Sequence, residues 1–161
     1  MIAIGAQYYR PPNPPREDWA RDLARMREAG MNTVKLWACW RWMEPRPGEY
    51  DFTDLDELMD LCHAAGLQVV INTIIENAPY WLEATHPQAR YRDSEDRVVH
   101  LTAAMNTPGG GWPGLCFDND EVWQAAARFL KALVTRYDTH PALEVWDVWN
   151  EPHLEPASYF P

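Results

Sequence analysis

Three features of the 161-residue chain predict an α/β fold of the (β/α)₈ TIM-barrel type. Short apolar runs alternate with amphipathic helical stretches, which means a parallel sheet. The frame Ala29-Gly30-Met31-Asn32-Thr33-Val34 returns as Ala65-Gly66-Leu67-Gln68-Val69-Val70, a helix end feeding a strand each time. Polar and aromatic residues gather behind every expected strand, at the end where α/β folds bind ligands. The order β-α-β-α-β-α-β is about the first four units of eight. Residues 1–161 are therefore expected to form a partial barrel, the amino-terminal half of a domain that continues past 161. The competing architecture is a doubly wound nucleotide-binding sheet, which needs a glycine-rich turn directly after its first strand. That place holds Tyr8-Tyr9-Arg10-Pro11-Pro12, and the glycines at 109–111 lie far from any strand end with no lysine after them.

The first strand is expected from Ile2 to Gln7. Pro11, Pro12, Pro14 and Pro15 predict a stiff, extended connection. Trp19, Leu23 and Met26 share one helical face, so Arg16 to Ala29 reads as a helix stopped by Gly30. Thr33 to Trp37 is the second strand. A loop then carries Trp40, Arg41, Trp42, Met43, Glu44, Pro45 and Gly48. Thr53 is the expected N-cap of the second helix, with Asp56 three residues on as a short capping box. Leu55, Leu58, Met59, Leu61 and Cys62 form its apolar stripe. Gln68 to Asn72 is a third strand, apolar enough to be buried on both faces. Thr73 to Phe117 is long and irregular, with a short helix near Pro79-Tyr80-Trp81-Leu82 and a solvated polar patch from Arg90 to Arg97. Asp118, with Glu121 three on, is expected to cap the third long helix. Its buried face runs through Val122, Ala126, Phe129, Leu130, Leu133 and Tyr137. The fourth strand reaches Asn150, and Pro152 forbids its continuation.

A net charge of −10 disfavours nucleic acid and anionic membranes as partners, since both need basic patches. Three widely spaced cysteines, Cys39, Cys62 and Cys116, argue against a disulfide framework and for a reducing compartment. No run approaches the length that spans a bilayer. The amino terminus shows no secretory signal, so a cytoplasmic protein is expected. Nine tryptophans exceed what a small core usually needs, and flat apolar rings are how clefts hold sugars.

The chemistry concentrates at the strand ends. Tyr8, Tyr9 and Arg10 follow the first strand, and Trp40, Arg41, Trp42 and Glu44 the second. Asn72, Thr73, Glu76 and Asn77 close the third, and Asn150, Glu151 and His153 the fourth. In a barrel these loops share one rim. Glu151, at a strand end beside Trp146 and Trp149, suits a general acid whose pKa is raised by apolar surroundings. The Asn150 amide suits a sugar 2-hydroxyl. Tyr8, Trp40, Trp42, Glu76, Asn77 and Trp112 are the further candidate substrate contacts. Glu44, before a proline turn, reads as loop-fixing. Asp147 lies inside a strand and needs an Arg or Lys partner. Trp19 and Trp123 lie on helix stripes and read as core. Cys39 and Cys62 read as buried thiols. No tight histidine pattern supports a catalytic metal.

The chain resembles the amino-terminal part of the catalytic barrel of family 42 glycoside hydrolases, which are β-galactosidase-like. The resemblance is carried by Gln7-Tyr8-Tyr9, Trp19, Asp22, Met26, Gly30 and Val34-Lys35, then Glu44-Pro45, Gly48, Tyr50-Asp51-Phe52 and Leu55-Asp56. It continues through Gly66-Leu67, Pro79, Trp81-Leu82, Gly110-Gly111, Cys116-Phe117, Tyr137 and Trp149-Asn150-Glu151. It implies a retaining glycosidase acting on terminal β-galactosides, with Glu151 as acid/base and Asn150 as its neighbour. The nucleophile would be a second glutamate near the end of strand seven. No cofactor is required, although some members hold a structural zinc through a cysteine matching Cys116. A carbohydrate substrate and a homotrimeric full-length protein are also implied. Arg10 and the Trp112-Pro113 pair depart from the family pattern, and Pro152 is more typical of the wider clan. An endo-glucanase or xylosidase type, or a non-catalytic carbohydrate-binding barrel, are the alternatives. Half a barrel leaves two open sheet edges, so the 161-residue chain is expected to be a partial chain, inactive alone.

Overall fold

The computed structural model describes residues 2–99, 109–110 and 114–150. Four strands, β1 (Gly5–Tyr9), β2 (Thr33–Cys39), β3 (Gln68–Ile74) and β4 (Leu143–Asp147), form one sheet in the order β1-β2-β3-β4. Every neighbouring pair is parallel. Consecutive order is the decisive feature. Right-handed crossovers that always step to the next strand place every connecting helix on the same face. A doubly wound sheet reverses its stepping and covers both faces, which this sheet does not do.

The connections carry α1 (Trp19–Glu28), a four-residue turn α2 (Trp40–Met43), α3 (Thr53–Ala64), α4 (Tyr80–Thr85) and the long α5 (Asp120–Tyr137). Alternation along the strands separates two faces. Val34, Leu36 and Ala38 of β2 and Val69 and Ile71 of β3 join the helix-side core with Leu23, Leu55, Leu58, Val122, Phe129 and Leu133. Trp37, Cys39 and Ile74 form a separate small cluster on the opposite face. The Phe129 ring lies 6.0 Å from Trp40, 6.1 Å from Tyr50 and 6.3 Å from Phe52, so α5 is pinned by aromatic contacts to the β2–α3 connection.

The internal repeat is visible as geometry. Gly30 (φ 87°) and Gly66 (φ 69°) both take the left-handed conformation that ends a helix. The bonds Met31 N–H to Met26 O (3.1 Å) and Gly30 N–H to Arg27 O (3.0 Å) make a Schellman closure. Leu67 to Cys62 (2.9 Å) and Gly66 to His63 (3.0 Å) repeat it. The next residues enter β2 and β3 in register, Thr33 opposite Gln68.

Several sequence expectations are corrected. The proline run is not extended: Arg10 and Asn13 exchange two backbone hydrogen bonds of 2.9 Å and fold it into a tight turn, with the Pro11–Pro12 and Asn13–Pro14 bonds cis. β1 starts three residues later than Ile2, and Tyr8 is its extra residue, since register passes from Gln7 opposite Lys35 to Tyr9 opposite Leu36. The bulge turns Tyr9 to the helix side, where its hydroxyl donates to Asp54 at 2.5 Å and its ring meets the Trp19 edge. Thr53 is the first helical residue and not a cap; its N–H donates to Asp51 Oδ1 instead. Asn119, not Asp118, caps α5, accepting from the Glu121 and Val122 N–H groups at 3.1 Å. Trp123 is 52% exposed and lies outside the core, because it falls beside rather than on the buried stripe of α5. Trp19 is buried as expected.

Asp56, released from capping, does other work. Arg136 of α5 reaches it with two nitrogens, Nε to Oδ1 at 2.6 Å and a second guanidinium nitrogen to Oδ2 at 2.5 Å. The Tyr137 hydroxyl donates to the same carboxylate at 2.7 Å. Burial opposes ionisation of Asp56, but these donors outweigh it and hold its pKa below the ordinary carboxylate value. A carboxylate lowered on folding stabilises above its unfolded pKa and loses that contribution as pH falls through the folded value. Asp56→Asn is therefore expected to lower the denaturation midpoint at neutral pH. Its gap to wild type should close as pH drops below about 4, measured by urea titration across the acid range.

Candidate active site

The strand face turned away from the helices carries charge where apolar residues would be simplest. Register aligns Trp37, Asn72 and Asp147 across β2, β3 and β4. Lys35 lies two residues before Trp37 on the same face. Its ammonium makes a 2.7 Å ion pair with Asp147 Oδ2. The Asn72 amide donates to that same oxygen at 2.6 Å. Burial pushes the Asp147 carboxyl up, yet the hydrogen bonds from Lys35 and Asn72 outweigh it and leave the pKa below its usual value. The partner demanded by Asp147 is thus Lys35.

The same ammonium reaches the strand end, donating to Asn150 Oδ1 at 3.1 Å. The Thr73 hydroxyl donates to the Val148 carbonyl at 2.8 Å and ties the turn after β4 to β3. Asn150 is therefore held by its side chain, two residues after a backbone carbonyl tied to β3. Glu151, the expected acid/base residue, and Trp112 lie outside the described residues.

Around this cluster sit residues of the other three strand ends. The Arg10 guanidinium lies 4.2 Å from the centre of the Trp37 ring and donates to the Gly109 carbonyl at 2.8 Å. Trp37 is only 5% exposed. The indole nitrogen of Trp37 and Oδ1 of Asn72 accept or donate no hydrogen bond among the described residues. Cys39, wholly buried beneath, has its thiol pushed up to about 12 by that burial.

The remaining candidates divide. Trp42 is half-buried between the two apolar clusters, its indole N–H donating to Asp54 at 3.2 Å. Trp40 is corrected: its ring is fully buried against Phe129 on the helix side, and its indole N–H donates to Glu44 at 2.5 Å, so it packs instead of facing a sugar. The Tyr8 hydroxyl turns to Asp22 of α1 at 3.3 Å. Glu76 is nearly buried and Asn77 completely so. The Asn77 carbonyl oxygen faces the Arg41 N–H at 3.5 Å, and its amide nitrogen has no hydrogen-bond partner among the described residues. Glu44 is loop-fixing as expected, accepting also from the Gly48 N–H at 2.8 Å. Lys35 and Trp37 are absent from the rim that the sequence predicts, and Arg10 and Asn72 stand on it there without an assigned role. The available signal was a lysine inside an apolar strand, Val34-Lys35-Leu36-Trp37, which needs a buried partner as much as Asp147 does.

Comparison with known proteins gives the family of the chain. The family described as beta-galactosidase, glycoside hydrolase family 42, matches residues 8–161. The chain belongs to glycoside hydrolase family 42. It is 34% identical over 157 residues to a beta-galactosidase of an Arthrobacter species and 32% identical over 149 residues to one of Thermus thermophilus. These alignments cover 93% and 92% of this chain but 20% and 22% of those proteins. Among solved structures, the beta-galactosidase of the psychrophile Marinomonas ef1 superposes with a TM-score of 0.79 at 30% identity, over 93% of this chain and 22% of that one. The beta-galactosidase of the haloarchaeon Halorubrum lacusprofundi gives 0.77 at 31%, over 90% and 20%. The chain thus spans about a fifth of the length of its relatives. Its four parallel strands are a partial barrel of the family 42 type, as the sequence led one to expect.

The further cysteines of the zinc site that the resemblance implies for Cys116 fall past residue 161. Cys116 is buried, burial raises its thiol pKa, and no group of three His, Cys, Asp or Glu side chains gathers among the described residues.

Arg41 shows how the loop after β3 is held. It is buried, pairs with Glu83, donates to the Ala78 carbonyl at 2.9 Å and stacks 4.3 Å from the Tyr80 ring. Burial raises the Glu83 pKa against the pull of Arg41 and Arg90. Removing one partner of a buried pair leaves an uncompensated charge. Arg41→Met is expected to destabilise the fold by about 3–5 kcal/mol, read from chemical denaturation.

Proposed function

We propose that the complete protein hydrolyses terminal β-linked galactosides, or closely similar sugars, with retention of configuration. The observation that supports this most is Asn150, tethered at the carboxyl end of β4 directly before Glu151 in a family 42 chain. Glycoside cleavage needs a carboxylic acid to protonate the leaving oxygen. Glu151 takes that role, then as a carboxylate draws a proton from the attacking water. The proton given in the first step is regained in the second. A second carboxylate, from another strand of the barrel, forms the glycosyl-enzyme from about 5–5.5 Å away. Asn150 donates to the 2-hydroxyl, a contact that strengthens as positive charge develops at the neighbouring carbon. In this reading Trp42 and the Arg10–Trp37 pair border the sugar, the latter supported by its contact of 4.2 Å beside Lys35.

Glu151→Ala in the complete enzyme is expected to lower turnover of galactosides with poor leaving groups by about 10²-fold or more. Formation of the glycosyl-enzyme from an aryl galactoside with a good leaving group should suffer far less, because that group needs no protonation. Near-normal hydrolysis of the poor-leaving-group substrate would refute the assignment. A second expectation concerns the 161-residue chain by itself. β1 and β4 are the edges of its sheet, and in this reading the second carboxylate comes from a further strand of the barrel. Purified free of host enzyme, it should release no galactose, and measurable turnover would count against the two-carboxylate reading.

A further inference from the structure

We propose that Lys35 is a positioning residue that sets which way the Asn150 side-chain amide faces. The proposal rests on the reading of Asn150 as the donor to the sugar 2-hydroxyl. The two ends of a carboxamide are nearly equal in size, so packing alone does little to choose between them. An ammonium group does choose, because it has three donors and no acceptor. Lys35 Nζ, 3.1 Å from Asn150, can be satisfied only by the amide oxygen. With Oδ1 held there, Nδ2 and both its hydrogens turn to the other side of the amide. A sugar hydroxyl approaching that side meets a donor, and its own hydrogen stays available for another partner.

Lys35 can impose this only if it is itself held, and it is. Asp147 Oδ2 grips the ammonium at 2.7 Å, and Asn72 grips the same carboxylate oxygen at 2.6 Å. The ammonium also lies 5.8 Å from the centre of the Trp37 ring. The lysine side chain is 22% exposed, so it is enclosed by this set rather than waving in solvent. The chain of contacts Asn72–Asp147–Lys35–Asn150 crosses three adjacent strands. It transmits the rigidity of the sheet to one amide at its end.

The alternative role for such a pair is plain charge neutralisation inside the barrel, which would affect all substrates alike. The test therefore uses two substrates in the complete enzyme, an aryl β-galactoside and its 2-deoxy counterpart. Lys35→Met is expected to lower kcat/KM on the parent substrate about tenfold or more, and to leave the 2-deoxy substrate nearly unchanged, since that substrate never used the amide. Lys35→Arg keeps a donor-only group and should recover much of the loss. Equal losses on both substrates in Lys35→Met, with Asn150→Ala still selective for the 2-hydroxyl, would overturn the role of Lys35 and leave Asn150 standing. Equal losses in Asn150→Ala as well would overturn both. If Lys35→Met does not accumulate as folded protein, the milder Lys35→Gln is read the same way. A partial loss confined to the parent substrate supports the proposal, and equal losses overturn it.

Discussion

Right-handed crossovers between neighbouring parallel strands are the constraint from which the rest of this structure follows. Because each of the three connections steps from one strand to the next in the same direction, α1, α3 and α5 all pack on one face. That face becomes a conventional apolar core. The other face is left to residues of a different kind, and Lys35, Trp37, Asn72 and Asp147 occupy it. Charge is tolerable there only because it is paired. The Lys35–Asp147 bridge, with Asn72 on the same oxygen, satisfies groups that would otherwise be costly to enclose.

The helix side and the opposite side therefore serve different ends. Helix-side contacts such as Phe129 against Trp40, Tyr50 and Phe52, and Arg136 on Asp56, hold the layers together. The bulge at Tyr8 belongs to the same system, since it sends Tyr9 to Asp54 and Tyr8 to Asp22. The opposite face uses the stiffness so obtained to aim polar groups at the carboxyl ends of the strands. Catalytic groups gain from rigid support, because misplacement by about 1 Å is enough to matter. Membership of glycoside hydrolase family 42 fits this division, since (β/α)₈ barrels as a class bind ligands at the carboxyl-end rim of the sheet.

Much of this was legible in the chain itself. The alternation of strands and helices, the Gly30 and Gly66 stops and the apolar stripe of α5 are local patterns with local causes, and they appear where the residues placed them. Asp147 announced a partner by being charged inside a strand. The tryptophans were a different case. Trp40 and Trp42 are two residues apart in one helical turn, yet one is sealed against Phe129 and the other sits half-buried between two clusters. Spacing says that two such residues diverge, but not which one meets the core. Thr53 and Asp118 were reasonable caps by residue type, but each helix is entered one residue away from expectation, with Phe52 at the cap position of α3 and Asn119 capping α5.

By itself, then, the sequence determined the fold class, the repeat and the order of elements, while β4 ends at Asp147, three residues short of the expected Asn150. Those properties depend on periodicity, on helix stops and on prolines, which act over a few residues. Only the tertiary structure decided that Lys35 meets Asp147 and Asn150, separated from it by most of the chain, and that Arg10 lies over Trp37. It also decided that Trp40 packs against the helix layer and that the Tyr8 hydroxyl turns to Asp22. The physical reason is register: which side chains share a face across strands is set by how the strands align, and a single extra residue at Tyr8 is enough to change it.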